Sequence, residues 1–249
     1  MDALFEKLFG PLPALPGPRA LDADRRAAWA IWSCAILLVL LVFAAGIDMS
    51  TFDPAWREAS SRTLGGRANW LAAGFLYYLL VPLAVVLLVF RESPARYGFR
   101  IHVTPRSLRL YLLAFAALLP LLYWVSLSPA FLSRYPMVGD RDVDMLLVAT
   151  WETLRGLRFI ALEFFFRGYL LFSLEERMGY HAIAVAALPY GLLHYSKPFP
   201  EAIAAVAAGA VLGAFALRNR SIAGGALLHI FVATTMDMLA LWHKGALGS

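Results

Sequence analysis

Residues 161–172 read "ALEFFFRGYLLF". The stretch sets a carboxylate, Glu163, and a guanidinium, Arg167, inside a run that is otherwise apolar and aromatic enough for lipid. Four residues are about one helical turn, so on a helix the two side chains share a face and can pair. An isolated ionisable group at membrane depth costs about 2.5–3.5 kcal/mol, and pairing lowers that cost. The stretch therefore predicts a transmembrane helix carrying a buried ion pair.

Working outward, the whole chain supports that solvent. It is 61% hydrophobic and only 16% charged, with positive mean hydropathy, which predicts an all-α, polytopic membrane helix bundle. Apolar runs of spanning length lie at about 28–47, 68–90, 108–126, 145–174, 181–196, 201–217 and 221–242, giving about seven to eight transmembrane helices. The expected organisation is an N-terminal interfacial or cytoplasmic segment (1–27), two transmembrane helices (28–90) and a C-terminal membrane core (91–249). The first run, "CAILLVLLVFAAG", starts late and lacks a small-x-small cleavage site, so it reads as a retained helix. The single cysteine, Cys34, lies in it and excludes a disulfide framework or cysteine-rich metal site.

The formal charge of +5 does not point to nucleic acid, because Lys and Arg sit at the ends of apolar runs. With the N-terminus inside, Lys7, Arg19, Arg25, Arg26, Arg91, Arg96, Arg100, Arg106, Arg177, Arg218 and Arg220 fall inside. Arg57, Arg62, Arg67, Arg134, Arg141, Lys197 and Lys244 fall outside, a small positive-inside bias. "DALFEKLFG" puts Leu4, Phe5, Leu8 and Phe9 on one face of an interfacial helix that the following prolines stop. Gly209 and Gly213, at G-x-x-x-G spacing among alanines, suit close approach of another helix, as do Gly224 and Gly225. No segment is large enough for a soluble domain, and no internal repeat is visible.

Two histidines join the charged pair at membrane depth: His194 in "PYGLLHYS" and His229 in "GGALLHIFVATTMD". From helix rise, Glu163, His194 and His229 stand roughly 18, 20 and 12 Å from the same inner boundary, one middle layer of a core about 30 Å thick. A carboxylate and two imidazoles can orient and deprotonate a water.

"EFFFRG", "YGLLH" and "RNRSIAGGALLH" together closely resemble the CPBP family, the CAAX-protease and bacteriocin-processing intramembrane endopeptidases. The resemblance covers roughly residues 90–240. It implies a multi-helix membrane protein in which Glu163, Arg167, His194 and His229 form the catalytic site and activate water to cut a peptide bond. The chain departs from the family twice. Leu162 stands where the first motif usually has a second glutamate, and Ala233 where the last usually has Asn. With one glutamate, Glu163 must serve both as base and as partner of Arg167; the guanidinium weakens it as a base while desolvation strengthens it. Nearby substitutes are poorly spaced. Glu152 is roughly 16 Å from Glu163 along the axis and reads as a partner of Arg155, while Asp237 is about 12 Å beyond His229 and could order a neighbouring loop. Thr234 and Thr235 are local donors, although mid-helix Thr commonly bonds its own backbone.

The expected activity is that of an intramembrane endopeptidase acting on a membrane-anchored protein or peptide, near its C-terminal segment, in the plasma (inner) membrane of a prokaryote. No cofactor and no metal are expected. Two His and one Glu are also a zinc-site composition, but there is no His-Glu-x-x-His stretch and a Glu paired to Arg is a poor ligand. The competing class is a catalytically inactive scaffold or immunity-type protein that binds a peptide tail, favoured by Leu162 and Ala233. A proton-coupled transporter is a third class, disfavoured by the lack of a repeat. Expected partners are the bilayer and the peptide substrate, with no nucleic acid; the sequence does not specify an oligomeric state.

Overall fold

The computed structural model describes residues 7, 10, 20–44, 64–138, 144–194, 197 and 199–246. Of the N-terminal helix expected at 2–10 only Lys7 and Gly10 are among them, and Arg57, Arg62 and Arg141 lie outside. Among the described residues all regular structure is helical: α1 (Ala20–Ala44), α2 (Leu64–Phe75), a π segment (Leu76–Leu80), α3 (Val81–Ala84) and a second π segment (Val85–Phe90). A 3-10 turn (Pro94–Tyr97) precedes α4 (Pro105–Ser126), α5 (Pro129–Arg134) and α6 (Met145–Glu163). A third π segment (Phe164–Leu170) leads to α7 (Leu171–Met178), α8 (His181–Leu192), α9 (Phe199–Asn219) and α10 (Ala223–His243).

Among the described residues the apolar runs are largely helical, the exceptions being Leu193 and His194 beyond α8 and Ser221 and Ile222 before α10. Four stretches among the described residues, Arg67–Phe90, Pro105–Ser126, Glu201–Asn219 and Ala223–His243, are long and apolar enough to cross a bilayer. On α4, Leu112, Leu113 and Trp124 are exposed, as lipid-facing side chains must be where no aqueous face exists. The protein is an integral membrane helix bundle.

The chain divides into two compact units, Met1–His102 with Ala161–Ala223, and Val103–Ile160 with Gly224–Ser249. In the first, the core is aromatic. Phe164, Phe165 and Phe166 are wholly buried, with the Tyr78 ring 5.6 Å from Phe165 and 5.9 Å from Phe166, and the Phe99 ring 4.9 Å from Phe164. They are core residues. At one end of this unit, Arg26 of α1 pairs with Glu92 and with Glu176 of α7, and Arg96 bonds the same two carboxylates at 3.1 and 2.6 Å. The Tyr97 hydroxyl donates to Glu92 at 2.6 Å; burial, then that bond, push its acidity far below that of a free phenol, so it stays a donor. Gly98 has φ +70°, and a Cβ there would stand 2.8 Å from the Phe172 ring, so only glycine lets the turn close onto α7.

In the second unit, Thr104 and Ser107 cap α4 reciprocally, with Pro105 at the first helical position. Ser128 caps α5 one way, accepting from Phe131 N, again with a proline, Pro129, at the first helical position. Phe131, Tyr135 and Ala240 form a small core, and Ser126 Oγ lies 2.9 Å from His243 Nε2. Gly224 opens α10 against Tyr111, where an added Cβ would come within 2.0 Å of the ring. A rigid ring cannot yield that far. Gly224→Ala is therefore expected to cost about 1–3 kcal/mol of stability, as overpacking does. Thermal unfolding in detergent checks this: the midpoint should fall, and adding Tyr111→Leu should recover part of the loss.

Candidate active site

Glu163 ends α6 and Arg167 lies in the π segment that follows. The sequence predicts an ordinary helix here; the structure widens it over Phe164–Leu170, and such widenings in α-helices frequently occur at functional sites. Gly168 explains part of the local geometry, since a Cβ there would meet the Tyr97 carbonyl oxygen at 2.8 Å and the Phe164 ring at 2.9 Å. The glycine after the arginine thus lets this helix approach the 3-10 turn.

The predicted pair is present. Arg167 Nη1 donates to Glu163 Oε1 at 3.0 Å, with side-chain exposures of 3% and 1%. The guanidinium also lies over the Tyr190 ring of α8, 3.8 Å from its centroid, where the π face attracts a cation. Space for it comes from α9: a Cβ on Gly209 would stand 3.3 Å from Arg167 Nη2 and 3.1 Å from the Tyr190 ring. Gly213, one turn on, meets Ile183 of α8 at 3.3 Å. The G-x-x-x-G stripe therefore packs against α8, as expected, and also makes room for the charge.

His194 belongs to the same unit. The sequence carries the fifth apolar run through it, but α8 stops at Leu192 and His194 sits in the turn beyond. The last turn tightens, with Leu193 N donating to the Pro189 and Tyr190 carbonyls and His194 N to Gly191 O. The half-buried imidazole places Nδ1 3.1 Å from the Tyr190 carbonyl oxygen, with its ring 4.9 Å from the Tyr190 ring. A carbonyl only accepts, so Nδ1 carries the hydrogen and the neutral ring presents Nε2 as an acceptor. Tyr190 thus touches Arg167 through its ring and His194 through its backbone. The sequence marks it only as the aromatic four residues before the histidine.

His229 belongs to the second unit. Its half-buried imidazole stacks on Phe159 of α6, centroids 4.2 Å apart and planes 23° from parallel. Phe159 escapes a sequence reading because one more phenylalanine in an apolar run carries no signal. The expected Glu152–Arg155 pair is present at 2.7 Å. Asp237 orders a loop, accepting from Met137 N at 3.1 Å and forming an ion pair with Arg155 at 3.2 Å. Thr234 donates to Glu152 at 2.7 Å.

The first unit therefore holds a neutralised carboxylate and, linked to it through Arg167 and Tyr190, an imidazole, groups of the kind that can hold water and move its protons. As a metal donor Glu163 is poorly disposed, since Oε1 is committed to Arg167. Among the described residues no group of three or more His, Cys, Asp or Glu side chains is placed to hold a metal ion.

The fold and this site define a helical integral membrane protein with a buried, paired glutamate. Residues 153–235 match the family model described as Type II CAAX prenyl endopeptidase Rce1-like, and the matched segment contains Glu163, Arg167, His194 and His229. That is a protease family, and the match supports a hydrolase. No curated protein and no solved structure matches the chain.

Breaking a buried ion pair from one side strands a charge, at about 3–5 kcal/mol. Arg167→Met should therefore destabilise the protein by about that amount, whereas Glu163→Gln combined with Arg167→Met should destabilise it far less. A double-mutant cycle on detergent unfolding measures the difference; equal losses would mean that the pair is not a mutual charge neutraliser.

Proposed function

We propose that this protein is an intramembrane endopeptidase that hydrolyses a peptide bond near the C-terminal segment of a membrane-anchored protein or peptide. The observation that carries the reading is the wholly buried Glu163, held by Arg167, whose guanidinium lies over the Tyr190 ring, within a segment matching a protease family. Glu163 removes a proton from water, and the resulting hydroxide oxygen bonds to the scissile carbonyl carbon. The carbonyl becomes an oxyanion, the C–N bond breaks as it collapses, and the proton held by Glu163 passes to the leaving amine. His194 and His229 position the water and stabilise the oxyanion; His229 enters on the sequence argument. Arg167 orients Glu163. A bilayer holds little water, so a polar pocket must supply both nucleophile and charge stabilisation. We place the protein in a prokaryotic plasma membrane with its N-terminus inside, working without cofactor on a substrate delivered by the bilayer.

Leu162 and Ala233 favour a second reading, a non-catalytic scaffold that binds a peptide tail. Leu162 is buried in the apolar core, so no second carboxylate stands there, and the Ala233 position offers only its carbonyl, which accepts from Arg155 at 3.0 Å.

The deciding comparison is between membrane-protein C-termini, by mass spectrometry, in cells carrying the parent protein and cells carrying Glu163→Gln. Shortened C-termini should appear with the parent and vanish with the variant, which keeps the side-chain shape and removes the base. Cleavage that survives in a folded Glu163→Gln would falsify the mechanism, and stable association with uncleaved peptide in both would favour the scaffold. Activity of the purified parent should be unchanged by chelators; a loss restored by zinc would establish a metal-dependent route.

A further inference from the structure

The proposed reaction leaves unused a buried, many-partnered cation of the second unit. Arg155 is 1% exposed; its guanidinium donates to Glu152 at 2.7 Å and to the backbone carbonyl of Ala233 at 3.0 Å, and pairs with Asp237 at 3.2 Å. Two of those three partners, Ala233 and Asp237, follow His229 at four-residue steps along α10, so Arg155 grips the helix face from which His229 projects. One turn along α6 from Arg155 is Phe159. Its ring centroid is 5.8 Å from the guanidinium carbon, and it carries the His229 imidazole at 4.2 Å. Between them lies Gly156, where α6 faces Ile230 at a distance that a Cβ would fill with ordinary contact, 3.6 Å.

We propose that Phe159 and Arg155 are positioning residues for His229: Phe159 sets the plane of the imidazole, and Arg155 fixes the turn of α10 that carries it. The inference rests on reading His229 as a residue of the reaction. A histidine side chain has two free torsions, and a ring that rotates spends little time aimed at a bound water. Stacking at 23° removes one freedom, because turning the imidazole about its own axis breaks the contact with Phe159. The guanidinium removes backbone play by tying the Ala233 carbonyl to α6, and its ion pairs with Glu152 and Asp237 hold it in place. The tie falls at the position where the related motif carries a polar side chain and this chain has alanine.

The test uses the full chain in lipid nanodiscs with isotopically labelled histidine, the His229 resonance being assigned with His229→Gln. Phe159→Leu should abolish the ring-current displacement of the His229 Cε1–H signal and lower kcat by up to about 100-fold with KM unchanged, the signature of lost orientation. Phe159→Tyr, which keeps the ring, should retain both signal and kcat. Arg155→Lys, which keeps the charge and loses the fork, should broaden the signal and lower kcat in the same direction. A His229 signal unmoved by Phe159→Leu overturns the proposal, as does a moved signal with unchanged kcat. If Glu163→Gln cleaves as well as the parent, the reading of Glu163 falls instead, and the resonance still decides whether Phe159 orients His229.

Discussion

A carboxylate with no exposure to solvent, set among three consecutive buried phenylalanines, survives only if an opposite charge comes with it. The rest of the first unit is arranged around that constraint. Arg167 brings the charge one turn later, on a helix widened just there. The guanidinium, larger than the carboxylate it neutralises, then needs space of its own. Tyr190 supplies a π face, and Gly209 supplies the room that any side chain would fill. The small-residue stripe of α9 is therefore part of the electrostatics of the site as well as of helix contact.

The same rule governs the charges outside the motif. Arg26 and Arg96 share Glu92 and Glu176, and Arg220 bonds Glu175 at 2.5 Å. These clusters connect α1, the Pro94–Tyr97 turn, α7 and the end of α9, elements far apart in sequence. In the second unit Arg155 does comparable work between α6, α10 and the Met137 loop. Uncompensated buried carboxylates would be intolerable in so apolar a molecule, and each of these carboxylates has a guanidinium as partner.

Much of this was legible beforehand because lipid imposes simple rules. Apolar run length locates helices, so the runs at about 68–90 and 108–126 became the spans Arg67–Phe90 and Pro105–Ser126. Spacing locates partners on one helix, so Glu163–Arg167 and Glu152–Arg155 could be read at one turn or less. What escaped depends on contacts between helices. Tyr190 beneath Arg167 and Phe159 beneath His229 look like any other aromatic in an apolar chain. The widened segment at Phe164–Leu170 has no composition of its own, and the end of α8 before His194 reflects local backbone bonding rather than a loss of hydrophobicity.

That early ending of α8 has a consequence for the surrounding lipid. Twelve residues rise about 18 Å, well short of the roughly 30 Å hydrocarbon core. A helix so short stands in negative hydrophobic mismatch, and lipid beside it thins or admits headgroups and water to meet its polar end. The polar end here is the turn bearing His194. Around a helix of this length, the acyl-chain length of the bilayer sets how much hydrocarbon separates the imidazole from water.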